Sequence, residues 1–299
     1  MVDISVLVTT ICRESLLRAV KSVFAQSFKG SVQILIGVDV DPDDRFLSMR
    51  EKIEKDRPDN FQVDWVKLPY STSQRHGGPH HCFFGGSLRT VLSFLANSEV
   101  IVYLDDDDWF HPDHLQNVMN SIQGADWAYA YCFYANGATE ESYCVDEWES
   151  VGVGRGVFSD TEGGFVRPSG LAIRKMNFLA HLHLWSMSPS PNGDSEDRLI
   201  FNALKGLSGR CTGSATVYYA LDPKDDMHPY RLRFMNSKGV NCNLESKIGS
   251  VRIGREVGEN DNSDRKVVET KRLRIFPLAR VLAVLLILII IGGFYLFFL

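Results

Sequence analysis

The chain has 299 residues, a formal net charge of −5 and a hydrophobic content of 44%. This length allows one large domain of about 230–250 residues with a full hydrophobic core, plus an appended segment. The mildly acidic charge and the lack of a basic stripe in the body argue against nucleic-acid binding. The six scattered cysteines lack the spacing of a zinc site.

The first hundred residues alternate between strand-like and helix-like segments. Nearly continuous apolar runs predict strands, and apolar residues three and four positions apart predict helices. In chain order the sequence predicts a strand at 4–8, a helix at 14–24, a strand at 32–38, a helix at 46–53, a strand at 61–68, a helix at 88–96 and a strand at 100–104. Such alternation predicts an α/β fold with a mostly parallel sheet flanked by helices.

The pattern loosens after the first hundred residues. Pro112 is expected to open a helix that runs through Ile122, because proline suits the first helical turn. Strands are predicted at 127–134, 171–174 and 217–221, and the Gly/Ser/Pro-rich stretch 186–193 is typical of a loop.

Four consecutive aspartates, Asp105 to Asp108, directly follow the strand predicted at 100–104. They therefore lie at the carboxyl end of a strand, where open α/β sheets bind ligands. Adjacent carboxylates raise each other's pKa unless a cation neutralises them. Oxygen-only ligands favour Mg²⁺ or Mn²⁺, and such an ion would naturally grip a phosphate-bearing substrate. Capping of the next helix needs only one aspartate.

Glu196 and Asp197 precede an apolar helical stripe at 199–204. One interpretation is a capping box that serves only the helix end. The other is a catalytic base, because a helix amino terminus keeps a carboxylate ionised and a base must be ionised before it takes a proton. Both interpretations can hold together.

Residues 4–235 resemble a family-2 glycosyltransferase of the GT-A fold. The segment Thr9-Thr10-Ile11-Cys12-Arg13-Glu14 stands where that family usually has Pro-Thr-Tyr-Asn-Arg-Glu. Leu88-Arg89-Thr90 stands where it has Ala-Arg-Asn, sixteen residues before Asp105. The run of four aspartates resembles the DXD element, and Glu196-Asp197 resembles the Glu-Asp pair of inverting members.

The resemblance implies a GT-A, Rossmann-like fold and a set of site residues. Asp197 would be the catalytic base. The metal, Mn²⁺ or Mg²⁺, would be held by Asp105, Asp107 and His228. The nucleotide-sugar donor would be bound by Thr9, Thr10, Glu14, Asp39, Arg89, Asp105 and Asp106.

The expected function is a metal-dependent, inverting, hexosyltransferase-like glycosyltransferase. Its donor would be a nucleotide-diphosphate sugar, and its acceptor a membrane-associated lipid or glycan. Two alternatives stay open. The altered residues Thr9, Ile11 and Cys12 leave room for a degenerate module that binds nucleotide sugar without turnover. A haloacid-dehalogenase phosphatase also carries Asp-x-Asp after a strand, although it uses the first strand of its domain.

The carboxyl-terminal segment 281–299 contains no charged residue. Its nineteen residues would span roughly 28 Å as a helix, close to the hydrocarbon thickness of a bilayer. Basic residues precede it, so the positive-inside bias places the body on the cytoplasmic side. The sequence thus predicts a GT-A domain at 1–253, a polar and basic linker at 254–274 and a transmembrane anchor at 275–299.

Overall fold

The computed structural model describes residues 2–244 of the chain. The predicted linker at 254–274, the predicted anchor at 275–299 and the predicted domain boundary at 253 lie outside the described residues. Among the residues that are described, no helix has the length and apolar character needed to cross a bilayer.

The strands of the described region vary in length from two to twelve residues. In chain order they are β1 (Ile4–Thr10), β2 (Val32–Val38), β3 (Phe61–Lys67), β4 (Val100–Asp105), β5 (Trp109–Phe110), β6 (Trp127–Ala135), β7 (Ser142–Val145), β8 (Gly152–Val153), β9 (Gly164–Phe165), β10 (Leu171–Arg174) and β11 (Gly209–Ala220).

The helices lie between these strands and after the last of them. They are α1 (Ser15–Phe24), α2 (Phe46–Asp56), α3 (Gly86–Leu95), α4 (His114–Ser121), α5 (Ser159–Glu162), α6 (Lys175–Phe178), α7 (Glu196–Leu204) and α8 (His228–Ser237). Short 3₁₀ segments occur at Gln74–His76, Pro168–Gly170 and Leu179–Ser186.

The main sheet has the strand order β3-β2-β1-β4-β10-β6-β11-β5, and β7 pairs with β6. The pairs among β1, β2, β3 and β4 are parallel, and so is the pair of β6 with β11. In contrast, β10 runs antiparallel to both of its neighbours, β4 and β6. The expectation of a mostly parallel sheet is therefore corrected to a mixed sheet. The reason is that β10 enters from the 3₁₀ turn at Pro168–Gly170 and not through a strand–helix–strand crossover.

All seven elements predicted for the first hundred residues are present. The second half differs more from prediction. The strand predicted at 217–221 is the end of the longer β11, which begins at Gly209 and contains irregularities in its pairing with β6. The segment at His228, for which the periodicity predicted no element, begins α8. The early elements were predictable because their apolar residues follow one period.

Helices cover the sheet on both faces, as predicted. One apolar cluster joins α1, α2 and α4 to Val6 and Val8 of β1. The other joins α3, α7 and the 3₁₀ segment at 179–186 to Leu7 of the same strand. Successive side chains of a strand point to opposite faces, so a run of apolar residues in β1 builds both layers.

The parallel register brings several strand ends to one edge of the sheet. Thr9 pairs with Asp105 across β1 and β4, and Thr10 pairs with Val38 across β1 and β2. The residue after β2, Asp39, donates its backbone N–H to the carbonyl of Thr10 at 2.9 Å. The acidic run and Asp39 therefore share the carboxyl edge of the sheet.

Ion pairs that are almost fully buried join α8 to the region after β7. Arg231 donates to both carboxylate oxygens of Glu149, at 2.7 and 2.9 Å. Arg167 lies 3.0 Å from the same carboxylate and 3.2 Å from that of Asp146. Burying such charges is costly unless each is paired, so the network fixes α8 in one position. The Arg231 guanidinium is thereby engaged in holding α8.

Removal of one partner of this network should destabilise the protein. We expect Arg231→Met to lower the free energy of unfolding by about 3 kcal/mol, because Glu149 keeps its charge in the interior with fewer donors. Chemical denaturation followed by tryptophan fluorescence measures the change. Arg233→Met on the exposed side of α8 is the control, with an expected change within about 0.5 kcal/mol. Equal losses in the two variants would contradict a structural role for the network.

Candidate active site

The four aspartates after β4 alternate between two environments. Asp106 and Asp108 are buried, whereas the Asp105 side chain is 27% exposed and the Asp107 side chain is 42% exposed. The chain turns here, with the N–H of Asp108 donating to the carbonyl of Asp105 at 3.1 Å. Two of the four carboxylates are therefore available at the edge of the sheet.

The two buried aspartates hold the turn in place. Asp106 accepts a hydrogen bond from the Thr10 hydroxyl at 2.6 Å. Asp108 accepts from the Ser169 hydroxyl at 2.5 Å and from the N–H of Ala220 at 2.9 Å. Burial raises the pKa of Asp106 to about 6 and raises the pKa of Asp108 well above its ordinary value. Hydrogen bonds offset only part of the desolvation cost in both cases.

The two accessible aspartates are each paired with an arginine. Asp105 accepts from Arg89, and Asp107 lies 2.5 Å from the Nη1 atom of Arg13. The same Nη1 atom lies 3.6 Å from Asp106. Repulsion among the carboxylates predicts a neutralising cation, and in the described structure two guanidinium groups fill this role.

Arg89 connects the acidic run to the amino terminus of α7. Its guanidinium is 7% exposed and donates from Nη1 to the carbonyl of Phe84 at 2.9 Å. The same nitrogen lies 3.3 Å from the Glu196 carboxylate, and Nη2 contacts Asp105. Two motifs that are more than ninety residues apart in sequence thus meet around one buried cation.

Asp197 lies in the first turn of α7, next to Glu196, and is half-buried. Burial raises its pKa, and the positive charges of Arg198 and Arg89 oppose that rise. The preceding residue, Ser195, has a φ of +67° and makes no side-chain capping hydrogen bond. Ser195 therefore does not form a capping box through its side chain.

Three further predicted donor-binding residues line the same edge. Thr9 pairs with Asp105, and Thr10 binds Asp106 as described. Asp39 accepts from the Ser71 hydroxyl at 2.7 Å, and its other oxygen lies 2.7 Å from Nδ1 of His76. The structure thus brings Thr9, Thr10, Asp39 and the acidic run together.

Two predicted site residues lie elsewhere. Glu14 is exposed just before α1 and its nearest cationic partner is Arg45, at 3.8 Å. His228 is buried at the start of α8, with Nε2 lying 3.1 Å from the carbonyl of Leu244. His228 as a metal ligand and Glu14 as a donor contact stay predictions without a structural partner in the site.

The metal site predicted from the sequence requires several side-chain ligands close together. Within residues 2–244, no group of three or more His, Cys, Asp or Glu side chains is arranged to hold a metal ion. Asp105 and Asp107 nevertheless offer accessible carboxylate oxygens on one side of the turn, which suits a hard divalent ion. These two carboxylates are the described groups that would hold such an ion.

Sequence reasoning missed three residues at this edge. Arg13 faces Asp107, His76 faces Asp39, and Ser169 accepts from the N–H of Asp105 at 3.1 Å while it donates to Asp108. Only Arg13 had a signal, because it lies within the matched segment at 9–14. His76 and Ser169 lie in irregular segments whose position follows from tertiary packing.

The site thus consists of paired carboxylates at the carboxyl edge of an α/β sheet, with the Glu-Asp start of α7 beside them. The family model for glycosyl transferase family 2 matches residues 5–182. This match covers more than half of the chain, so the chain belongs to that family. The expectation of a glycosyltransferase is thereby confirmed. A search of curated proteins finds no match.

Solved structures of similar fold include TarS from S. aureus. The chain is 18% identical to TarS with a TM-score of 0.52, covering 82% of this chain and 41% of TarS. It is 17% identical to TarS 1–349 in complex with UDP-GlcNAc, with a TM-score of 0.55, covering 82% of this chain and 68% of that one. The chain therefore spans about two fifths of the length of full TarS. At this identity the likeness supports the fold.

The buried Glu196 should make stability depend on pH. Burial raises its pKa from 4.5 to about 7, although Arg89 opposes the shift. A carboxyl group with a higher pKa in the folded state contributes stability that is fully present below the unfolded pKa and is lost as pH rises through the folded pKa. Glu196→Gln should therefore gain stability relative to the unsubstituted chain as pH rises from about 5 to 8, by about 1.4 kcal/mol per unit at most.

Denaturant midpoints measured across this pH range test the expectation. Glu51→Gln, at an exposed position of α2, is the control and should give a difference that stays constant with pH. A constant difference for Glu196→Gln as well would mean that the Glu196 carboxyl is already ionised in the folded protein throughout the range.

Proposed function

We propose that this protein transfers a sugar from a nucleotide-diphosphate sugar to an acceptor hydroxyl, with inversion at the anomeric carbon and with dependence on Mn²⁺ or Mg²⁺. The acceptor is proposed to be a lipid-linked or glycan molecule at the membrane. This last part rests on the anchor predicted at 275–299.

The contact of Arg89 with both Asp105 and Glu196 carries the proposal. Through this contact, a carboxylate proposed to hold the metal and the start of the helix that carries Asp197 lie around one cation. Asp197, the adjacent residue, has a pKa that is raised by burial and lies within the electrostatic influence of Arg89 and Asp105. A perturbed carboxyl beside a shared cation is a frequent mark of a catalytic site.

The donor is proposed to lie along the carboxyl edge of the sheet. Asp39, already ordered by Ser71 and His76, accepts hydrogen bonds from the nucleoside. Arg89 orients the sugar diphosphate through Asp105. Asp105 and Asp107 would hold a divalent ion, which would supply neutralisation of the charge on the leaving nucleoside diphosphate. Arg13, which pairs with Asp107 in the described structure, is proposed to donate to a phosphate oxygen of the donor.

Asp197 is proposed to act as the general base. The acceptor hydroxyl attacks the anomeric carbon from the face opposite the leaving diphosphate, and its proton passes to Asp197. Burial makes this carboxylate a stronger base, while Arg198 and Arg89 favour its ionised form. One displacement with one base inverts the configuration.

Donor binding should be detectable as metal-dependent stabilisation. We expect one nucleotide sugar, or its nucleoside diphosphate, to raise the melting temperature of the full chain in the presence of Mn²⁺, by mass action. Because TarS 1–349 is solved with UDP-GlcNAc, UDP-GlcNAc and UDP are the first ligands of the panel. Asp107→Asn should remove the Mn²⁺-dependent part of the shift, since it removes one of the two accessible carboxylates.

Asp113→Asn is the matched control for this experiment. Asp113 is also an exposed aspartate after β4, yet it accepts from the Ser27 hydroxyl at 2.9 Å and does not face the acidic run. The Asp113→Asn variant should keep the full Mn²⁺-dependent rise in melting temperature. No shift with any nucleotide or nucleotide sugar would remove the basis for a donor site at this edge.

Turnover should depend on Asp197 while donor binding does not. We expect Asp197→Asn to keep the melting shift but to lower turnover by roughly two to four orders of magnitude, because the base can no longer take the proton. The assay measures hydrolysis of the identified nucleotide sugar or its transfer to an acceptor.

Asp194→Asn, three residues earlier and just before α7, is the control. Asp194 accepts from the Ser195 hydroxyl at 3.0 Å and should be replaceable with little loss. Near-normal turnover in Asp197→Asn would contradict the role of Asp197 as the general base. Donor binding without any turnover in the unsubstituted chain would favour the alternative of a degenerate binding module.

A further inference from the structure

One face of α3 is apolar and exposed although its opposite face is packed in the core. Leu88, Arg89 and Leu92 are buried, whereas Val91 and Leu95 on the outer side are exposed. A helix on the surface of a soluble protein normally presents polar and charged residues outward. The outer side of α3 presents none that is charged.

Neighbouring segments extend this surface. Lys175, at the start of α6, donates its Nζ to the carbonyls of Phe94 and Ala96, which places Met176 beside the end of α3. The carbonyl of Trp185 closely approaches Gly86, which places the segment before Met187 beside the start of α3. We call the resulting set of exposed side chains the apolar face: Phe84, Val91, Phe94, Leu95, Met176 and Met187.

The sequence stretches that form the apolar face lack acidic residues. Its residues come from two stretches, 65–98 and 163–193, and neither stretch contains an aspartate or a glutamate. This is unusual in a chain with 37 acidic residues and a net charge of −5. The first acid after one of these stretches, Glu99, is ion-paired with Arg174.

Basic groups, in contrast, lie along the same surface. The guanidinium of Arg75 lies 5.4 Å over the ring of Phe84, and the ammonium of Lys175 lies at the end of α3. His181 and His183 are exposed on the 3₁₀ segment that packs against α3. Apolar side chains bordered by basic ones, with acids excluded, are the composition that binds an anionic lipid surface.

We propose that the apolar face docks on an anionic lipid bilayer, so that the domain lies on the membrane through α3. This contact is separate from the predicted anchor at 275–299, which would only tether the domain. A protein partner is the weaker choice, because a protein interface would not need the absence of acids over two separate stretches. The opposite layer of the fold offers a comparison: Leu47 on α2 is 73% exposed, but acidic residues such as Asp43, Asp44 and Glu51 are close to it in sequence.

A depth measurement on the full chain tests the proposal. Leu95→Cys and Leu47→Cys are each labelled with an environment-sensitive fluorophore, and the unsubstituted chain carried through the same reaction gives the background from its own cysteines. Both proteins are reconstituted into vesicles of phosphatidylcholine and phosphatidylglycerol that contain a doxyl-labelled lipid. The label at position 95 should shift to shorter wavelength and be strongly quenched, and the label at position 47 should remain unquenched.

A second pair of variants separates docking from tethering. Addition of Val91→Glu to Leu95→Cys should abolish the quenching, because the new charge opposes burial in lipid, and addition of Leu47→Glu should leave it unchanged. Absence of vesicle association, or equal quenching at positions 95 and 47, would overturn the proposal. A shift of the emission at position 95 to shorter wavelength without doxyl quenching would also overturn the proposal. In that case a second copy or another part of the chain would cover the apolar face. Equal quenching in phosphatidylcholine alone would overturn the requirement for anionic lipid.

Discussion

The buried guanidinium of Arg89 is the interaction on which the site depends. Removal of a charged group from water costs several kcal/mol unless its partners compensate. Here the compensation comes from Asp105 after β4, Glu196 at the start of α7 and the carbonyl of Phe84 before α3. Each partner belongs to a different element. The need to pair the Arg89 guanidinium with all of them therefore sets the separation between the acidic turn and the helix that carries Asp197. The geometry of the site is thus a consequence of electrostatic compensation.

In the acidic run, too, the same kind of residue serves both the fold and the proposed chemistry. Mutual repulsion explains why four carboxylates need cations, but it does not say which of them face the ligand. The turn divides them: Thr10 and Ser169 hold Asp106 and Asp108 inside, and Asp105 and Asp107 remain at the edge. Two aspartates therefore build the turn that presents the other two. A single Asp-x-Asp with apolar neighbours would lack these internal supports.

The alternating first half of the fold was predictable because its strands and helices each follow a local period, as in β2 and α1. The acidic run and the Glu-Asp pair were also visible, since each follows or precedes such an element. What could not be predicted depends on packing between distant segments. The antiparallel entry of β10, the contact of His76 with Asp39 and the bridge from Arg89 to Glu196 all join residues from irregular or remote stretches. Local propensity carries no information about such contacts.

The helix α3 links the proposed chemistry to the proposed location. Its inner side carries Arg89, which reaches Asp105, and its outer side carries Val91 and Leu95. A helix with its side chains is about 10–12 Å across, so a bilayer in contact with the outer side would lie within about one helix diameter of the buried guanidinium. An acceptor held in that bilayer would then need only a short reach to enter the site. Docking through α3 would fix the orientation of the domain, and this geometric restriction is what a membrane-bound acceptor requires.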